Sequence, residues 1–284
     1  MLSKYQERLF LRGVGFILGI YISILIGIIY TFYTTDTVTF TKYKHGYDWL
    51  SYIDAVTYIN LESRLDRRNE LETTLAELGL TNVHRVEGVI ATDKMYDEAV
   101  KRYTGKGPQM SKGALGCALA HINQLKLMYD LLPSNESYGV VLEDDFKVLS
   151  SDIYNQKKHE LGDVIETYRP DIIMLGLTPK ELDSIYGFYN VVKVHIATAA
   201  MGMIVKKSYI PKLMEIYLTG IKECIHIDQI TVRYQKVDNW FGVFPPMFIQ
   251  APGYSNIEER YVDYHALEVD AIMLKDKNKF LNEI

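Results

Sequence analysis

Four apolar runs constrain the fold of this chain most: "AVTYINL" (55–61), "YGVVL" (138–142), "DIIMLGL" (171–177) and "VHIATAAMGMIV" (194–205). The first three are short, continuous and rich in β-branched or apolar residues, and the fourth is a longer run of the same kind, so each reads as a strand region buried on both sides. Between them the period changes. Ser63 and Asp66 make an S-x-x-D start signal, Leu71, Leu75 and Leu78 recur at helical spacing, and Gly79 supplies a stop. A further strand is expected at Val83 to Val86, a short helix over Lys94 to Tyr103, a helix from Ser111 to about Leu131, and another near Pro211 to Leu218. Strands alternating with helices predict an α/β architecture, a mostly parallel sheet covered by helices on both faces.

The second run ends abruptly in Glu143, Asp144 and Asp145. In open α/β sheets ligands settle beyond the carboxyl ends of the strands. Adjacent carboxylates there are costly without a cation to offset them. A hard divalent ion, itself completed by a diphosphate, would do so, whereas a solvated acidic turn or the acids of a phosphohydrolase would give the same letters. No second acidic cluster supports the phosphohydrolase.

The chain opens differently. Gly13 to Thr35 carries no charge, long enough at ~1.5 Å per residue to cross a ~30 Å hydrocarbon core. Lys4, Arg8 and Arg12 precede the run and Asp36 follows it, which orients residues 1–12 to the cytoplasm and the body to the lumenal or extracytoplasmic side of a single-pass anchor. A cleaved signal peptide is the rival, but the run exceeds an ordinary h-region and no A-x-A site closes it. The Thr-rich stretch 36–53 reads as a stem, 54–265 as the body and 266–284 as a tail. A net charge of −5 with scattered Lys and Arg excludes a general nucleic-acid binder. Cys117 and Cys224 lack C-x-x-C spacing, so no zinc or redox motif is indicated; they are two free thiols or a single bridge.

Three ordered segments carry a family resemblance: "YINLESRLDRR" (58–68), "SKGALGCALAH" (111–121) and "VVLEDDF" (140–146). Together they resemble glycosyltransferase family 25, which includes lipooligosaccharide and collagen galactosyltransferases, and "IHIDQ", "FPPMFIQ" and "YSNIEE" extend the likeness to about residue 257. Ala120 departs from the family's usual Ser. The resemblance implies a GT-A-like, Rossmann-type nucleotide-sugar-binding fold, a UDP-sugar donor (commonly UDP-galactose), Mn²⁺ or Mg²⁺, and transfer with inversion. The acceptor would be a glycan, a lipid-linked saccharide or a collagen-like hydroxylysine.

By the same resemblance Asp145 and Glu143 are expected as metal ligands, with Asp144 beside the metal, the ribose or the sugar; His226 is a further candidate ligand because it would share a face with Asp228 in an extended segment. Glu143 could equally accept backbone amides. Arg64 with Arg67 or Arg68 is expected near the donor phosphates, though all three also fit a solvated helix face, with Asp66 capping the helix or tying an arginine down. Asn60 is placed at the uracil or as a strand cap. Ser111 opens a helix whose free amides suit an anion, His121 is either site-adjacent or a core histidine, and Thr198 and Gln250 line the donor pocket on resemblance alone. An inverting transfer needs a base, and Asp228 is the candidate, with Glu143 beside it in the catalytic set; capping of the following helix competes for Asp228. A protein that keeps the fold and binds sugar or nucleotide without turnover is the alternative.

Overall fold

The computed structural model describes residues 47–101, 110–149, 151–199, 201–255 and 260–263. The expected membrane span at 13–35, most of the stem, the Gly-rich loop around 104–107 and the tail lie outside them. Among the described residues no helix is long and apolar enough to cross a membrane.

The strands, in chain order, are β1 (Ile53–Asn60), β2 (Val83–Glu87), β3 (Tyr138–Glu143), β4 (Phe146–Val148), β5 (Ile172–Met174), β6 (Thr178–Ser184), β7 (Val191–Thr198), β8 (Gly202–Lys206), β9 (Trp240–Val243), β10 (Phe248–Gln250), β11 (Gly253–Ser255) and β12 (Arg260–Val262). The helices are α1 (Leu65–Glu77), α2 (Asp93–Lys101), α3 (Lys112–Leu131), α4 (Ser151–Tyr168), α5 (Ile210–Glu223) and α6 (Ile227–Gln235). Eight strands form one mixed sheet in the order β2-β1-β3-β8-β5-β9-β7-β6. β8 and β7 run against the other six. The sheet is therefore mostly parallel in strand direction, and β1, β2 and β3 send their carboxyl ends to one edge.

The apolar runs became strands because both faces are covered: Ala55, Val56, Val140, Leu142, Ile172 and Ile173 are all fully buried. "VHIATAAMGMIV" is not one strand but two, β7 ending at Thr198 and β8 beginning at Gly202, which run in the same direction at separate places in the sheet, β8 lying between β3 and β5. Helix α1 starts later than Ser63 suggests. Its N-cap is Arg64, without a side-chain cap bond, while Gly79 ends the segment at φ +75°, a conformation that favours glycine.

The body also begins earlier than expected. Asp48 Oδ1 accepts from the Leu50 amide to start a 3-10 turn, and Trp49 is wholly buried, edge-on to Tyr154 of α4. A Cβ on Gly162 of α4 would lie 2.0 Å from the Tyr47 carbonyl, so this helix and the entering chain touch backbone to side. Helix α3 is fixed most firmly over the first strands. Its buried Gln124 donates from Nε2 to the carbonyls of Thr57 on β1 and Leu142 on β3, 3.0 Å each.

Candidate active site

At the shared edge of β1 and β3 lies a cleft of about 540 Å³. Asn60 and Glu143 end the two strands that floor it, the N-terminal half of α3 and residues 88–91 form one wall, and Gln250 with Tyr254 and Ser255 forms the other. The small residues of α3 permit this closeness. A Cβ on Gly116 would sit 2.3 Å from the Val89 carbonyl, so only glycine lets the helix approach that loop.

The acidic cluster is held by a hydrogen-bonded chain of partners. Asn60, 1% exposed, donates from Nδ2 to Asp144 Oδ2 (2.7 Å) and to the Arg64 carbonyl (3.0 Å). Arg67 Nη1 donates to Asp144 Oδ1 (2.9 Å) and Asp145 Oδ2 (3.2 Å), and its Nη2 donates to the Tyr254 carbonyl (3.1 Å). Gln250 Nε2 donates to Asp145 Oδ2 (3.0 Å). Glu143 meets His121 instead, Oε1 to Nε2 at 3.0 Å, with His121 buried and edge-on to Tyr217. Arg67 thus offsets Asp144 and Asp145, and His121 stands against Glu143.

One oxygen is left over. Asp145 Oδ1 is buried and has no hydrogen-bond partner among the described residues. Burial first, and then the Glu143 charge, push the Asp145 carboxyl well above the ordinary carboxylate range, against the opposing pull of Arg67. A buried carboxylate oxygen without a donor, beside a second carboxylate, is the arrangement a divalent cation relieves. The residues therefore fit such an ion: Asp145 and Glu143 could supply its oxygens, whereas both Asp144 oxygens are taken by Asn60 and Arg67.

The other expected residues divide. Arg64 lines the cleft but grips Asp66 through Nε and Nη2 (3.0 and 2.9 Å), a pairing that lowers Asp66 to about 2, so Asp66 ties down an arginine rather than capping α1. Arg68 turns from the cleft to Glu72 (3.1 Å). Ser111 does cap α3, accepting from the Ala114 amide at 3.1 Å, and Lys112 and Gly113 take its place on the wall. Thr198 is buried at the end of β7 and is not part of the cleft wall. His226 is exposed as the N-cap residue of α6 and does not join the acidic cluster. Asp228 follows in the first turn of α6, and its charge is felt by Cys117 and Tyr217, though it does not line the cleft.

Two residues of the cleft region were not assigned to it from the sequence. Arg85 of β2 donates to the Asn60 side chain (3.2 Å) and carbonyl (3.1 Å), bracing Asn60 from behind. Only its position opposite Tyr58 on a paired strand places it there, which no local pattern reveals. Cys117 is a free thiol on the cleft wall, four residues before His121, and burial followed by Glu143 pushes it well above its ordinary range. The spacing was visible; its third partner, Glu143, comes from another element.

Beyond the Arg64, Arg67, Asp144 and Asp145 wall lies a second cleft of about 600 Å³, which Glu70, Lys147, Tyr154 and Asn155 help to line. Asp145 borders both, but the strand ends Asn60 and Glu143, with His121, line the first cleft and not the second, which marks the first as the candidate centre of chemistry.

Residues 54–175 match the model of glycosyltransferase family 25 (LPS biosynthesis protein). The match runs from β1 through β5 and takes in all three motif segments, so the family 25 resemblance is shown over that span. Over that span the chain is similar to glycosyltransferases. Asp228 and Gln250 lie beyond the matched segment. A search of curated proteins found no match to this chain.

Proposed function

We propose that this chain is a metal-assisted, inverting glycosyltransferase of GT-A-like fold. It would move a hexose, galactose by family habit, from a UDP-sugar to a glycan, lipid-linked saccharide or hydroxylysine-type hydroxyl. The carrying observation is the partnerless, buried Oδ1 of Asp145 beside Glu143, at the carboxyl edge of the sheet.

Mn²⁺ or Mg²⁺ held by Asp145 and Glu143 would neutralise charge on the departing diphosphate. The protein groups do the rest. Arg64 stands on the cleft wall with its guanidinium pre-set by Asp66, ready to exchange that exposed partner for a phosphate oxygen, whose charge grows as the glycosidic bond breaks. Arg67 and Asn60 fix Asp144 and Asp145, so the cluster does not reorganise during transfer. The apolar stretch Val89, Ile90 and Ala91 offers a face for a base or sugar ring. Asp228, in the first turn of α6 and outside the cleft lining, is the candidate on the family resemblance for the carboxylate that takes the acceptor proton once acceptor is bound. An anchor at 13–35 would hold this body on the lumenal or extracytoplasmic side.

The test is transfer itself. The full-length chain, offered a panel of UDP-sugars with Mn²⁺, should release UDP from one of them. Asp145→Asn should lower that release by about 100-fold or more; unchanged release would remove the metal role. Ala120 supports a second reading, since a methyl group stands on the cleft wall where family 25 usually has a hydroxyl. Binding without turnover would then show as donor-dependent heat protection with no product by mass spectrometry.

A further inference from the structure

The sulfur of Cys117, the Nε2 of His121 and a carboxylate oxygen of Glu143 lie within 4.8 Å of one another. Nothing in the proposed transfer uses the thiol. Cys117 and His121 stand one turn apart on a single face of α3, and Glu143 reaches them from the end of β3. His121 and Glu143 are already 3.0 Å apart. Bond lengths of ~2.3 Å to sulfur and ~2.0–2.2 Å to nitrogen and oxygen place tetrahedral ligand atoms roughly 3.3–3.8 Å from each other, so the trio needs to close by only about 1 Å. All three residues line the cleft, so a fourth coordination position would face its open space.

We propose that Cys117, His121 and Glu143 form a binding site for a zinc-class divalent ion, distinct in chemistry from the oxygen-only site at Asp145. Thiolate and imidazole select Zn²⁺ or Co²⁺ over Mg²⁺ and Mn²⁺, which prefer carboxylates, water and phosphate. On binding, the thiol gives its proton to solvent and the sulfur forms the metal bond. The two sites share Glu143, so a zinc-class ion draws that carboxylate away from the acidic cluster and acts against a hard ion there. Cys224 lies elsewhere, beside Tyr96, Met110, Leu115 and Ile221, with no His, Asp, Glu or second Cys among the described residues of that hollow.

The metal alone is the probe, so the outcome does not depend on whether the chain transfers sugar. Co²⁺ titrated into the chelator-stripped full-length chain should give a thiolate-to-cobalt charge-transfer band and intense visible bands of a tetrahedral ion. Zn²⁺ should abolish both, and Mn²⁺ at equal concentration should not. Cys117→Ala and Cys117→Ser should each lose the charge-transfer band and weaken Zn²⁺ binding by at least about 100-fold, with thermal melts showing both variants folded. Cys224→Ala and Asp145→Asn should keep it. Absence of the band in the parent chain, or its survival in either Cys117 variant, overturns the proposal.

Discussion

Arg67 makes three hydrogen bonds from one guanidinium, to Asp144, to Asp145 and to the Tyr254 carbonyl, with its side chain only 18% exposed. Removing one partner of a largely buried pair leaves the other charge without compensation, and here two carboxylates would be left. Arg67→Met, which keeps most of the stem, is therefore expected to cost about 2–3 kcal/mol in denaturant melts at pH 7. That cost should shrink as pH falls and the carboxylates protonate. Asp145 gives the complementary case. Its folded pKa is raised, so between the unfolded carboxylate range and that raised value the folded state binds more protons than the unfolded state, and stability falls as pH rises through the window. Asp145→Asn should remove this slope. In chelator, the variant is expected to be more stable than the parent at pH 8 by the order of 1 kcal/mol and to match it more closely near pH 4. Equal slopes in urea melts at the two pH values would contradict the assignment.

At the scale of the element, α3 does the positioning, through what its residues lack. Gly116 replaced by Ala should gain up to about 1 kcal/mol of helix propensity. The added methyl, however, meets a backbone carbonyl, that of Val89, at 2.3 Å, and backbone cannot turn aside as a side chain can. A net loss of about 1–3 kcal/mol is expected, together with weaker donor binding, because residues 88–91 and α3 together form one wall of the cleft. Stability unchanged by Gly116→Ala would mean the loop yields freely. This helix was legible in advance: Ser111 gave its start, and the structure has Ser111 accepting from Ala114. Helix α1 was legible in its interior, where Leu71 and Leu75 are buried, but not at its start, where Arg64 and not Ser63 is the N-cap residue and Asp66 is engaged by the Arg64 side chain. The break between β7 and β8 was not legible at all: "ATAAM" contains no Gly, Pro or Asn to mark it, and the two strands run in the same direction, β8 being set between β3 and β5 by its pairing with both.

For the whole molecule, the sequence located the site better than it located the site's contents. The acidic end of β3, Asn60 and Arg67 come together because parallel β1 and β3 carry their ends to one edge, a consequence of topology that alternating patterns do reveal. Residues from the second half, such as Asp228, Thr198 and His226, depend on how β7 and α6 return across the sheet, and periodicity holds no information about that. Donor binding therefore tests the assembled site. A ligand present at about 100 times its dissociation constant stabilises a folded protein by ~2.7 kcal/mol. At ~2–4 °C per kcal/mol for a body of this size, a UDP-sugar with Mn²⁺ should raise the melting temperature by roughly 5–10 °C. Either component alone should give less, since each leaves the other's charge in the cleft unmatched. Arg64→Ala should reduce the shift without changing the unliganded melt much, because its partner Asp66 is mostly exposed and the pair itself contributes little. Thr198→Ala should leave the shift intact, Thr198 being absent from the cleft wall. A shift that survives Arg64→Ala but disappears in Thr198→Ala would move the donor to a different face of the sheet.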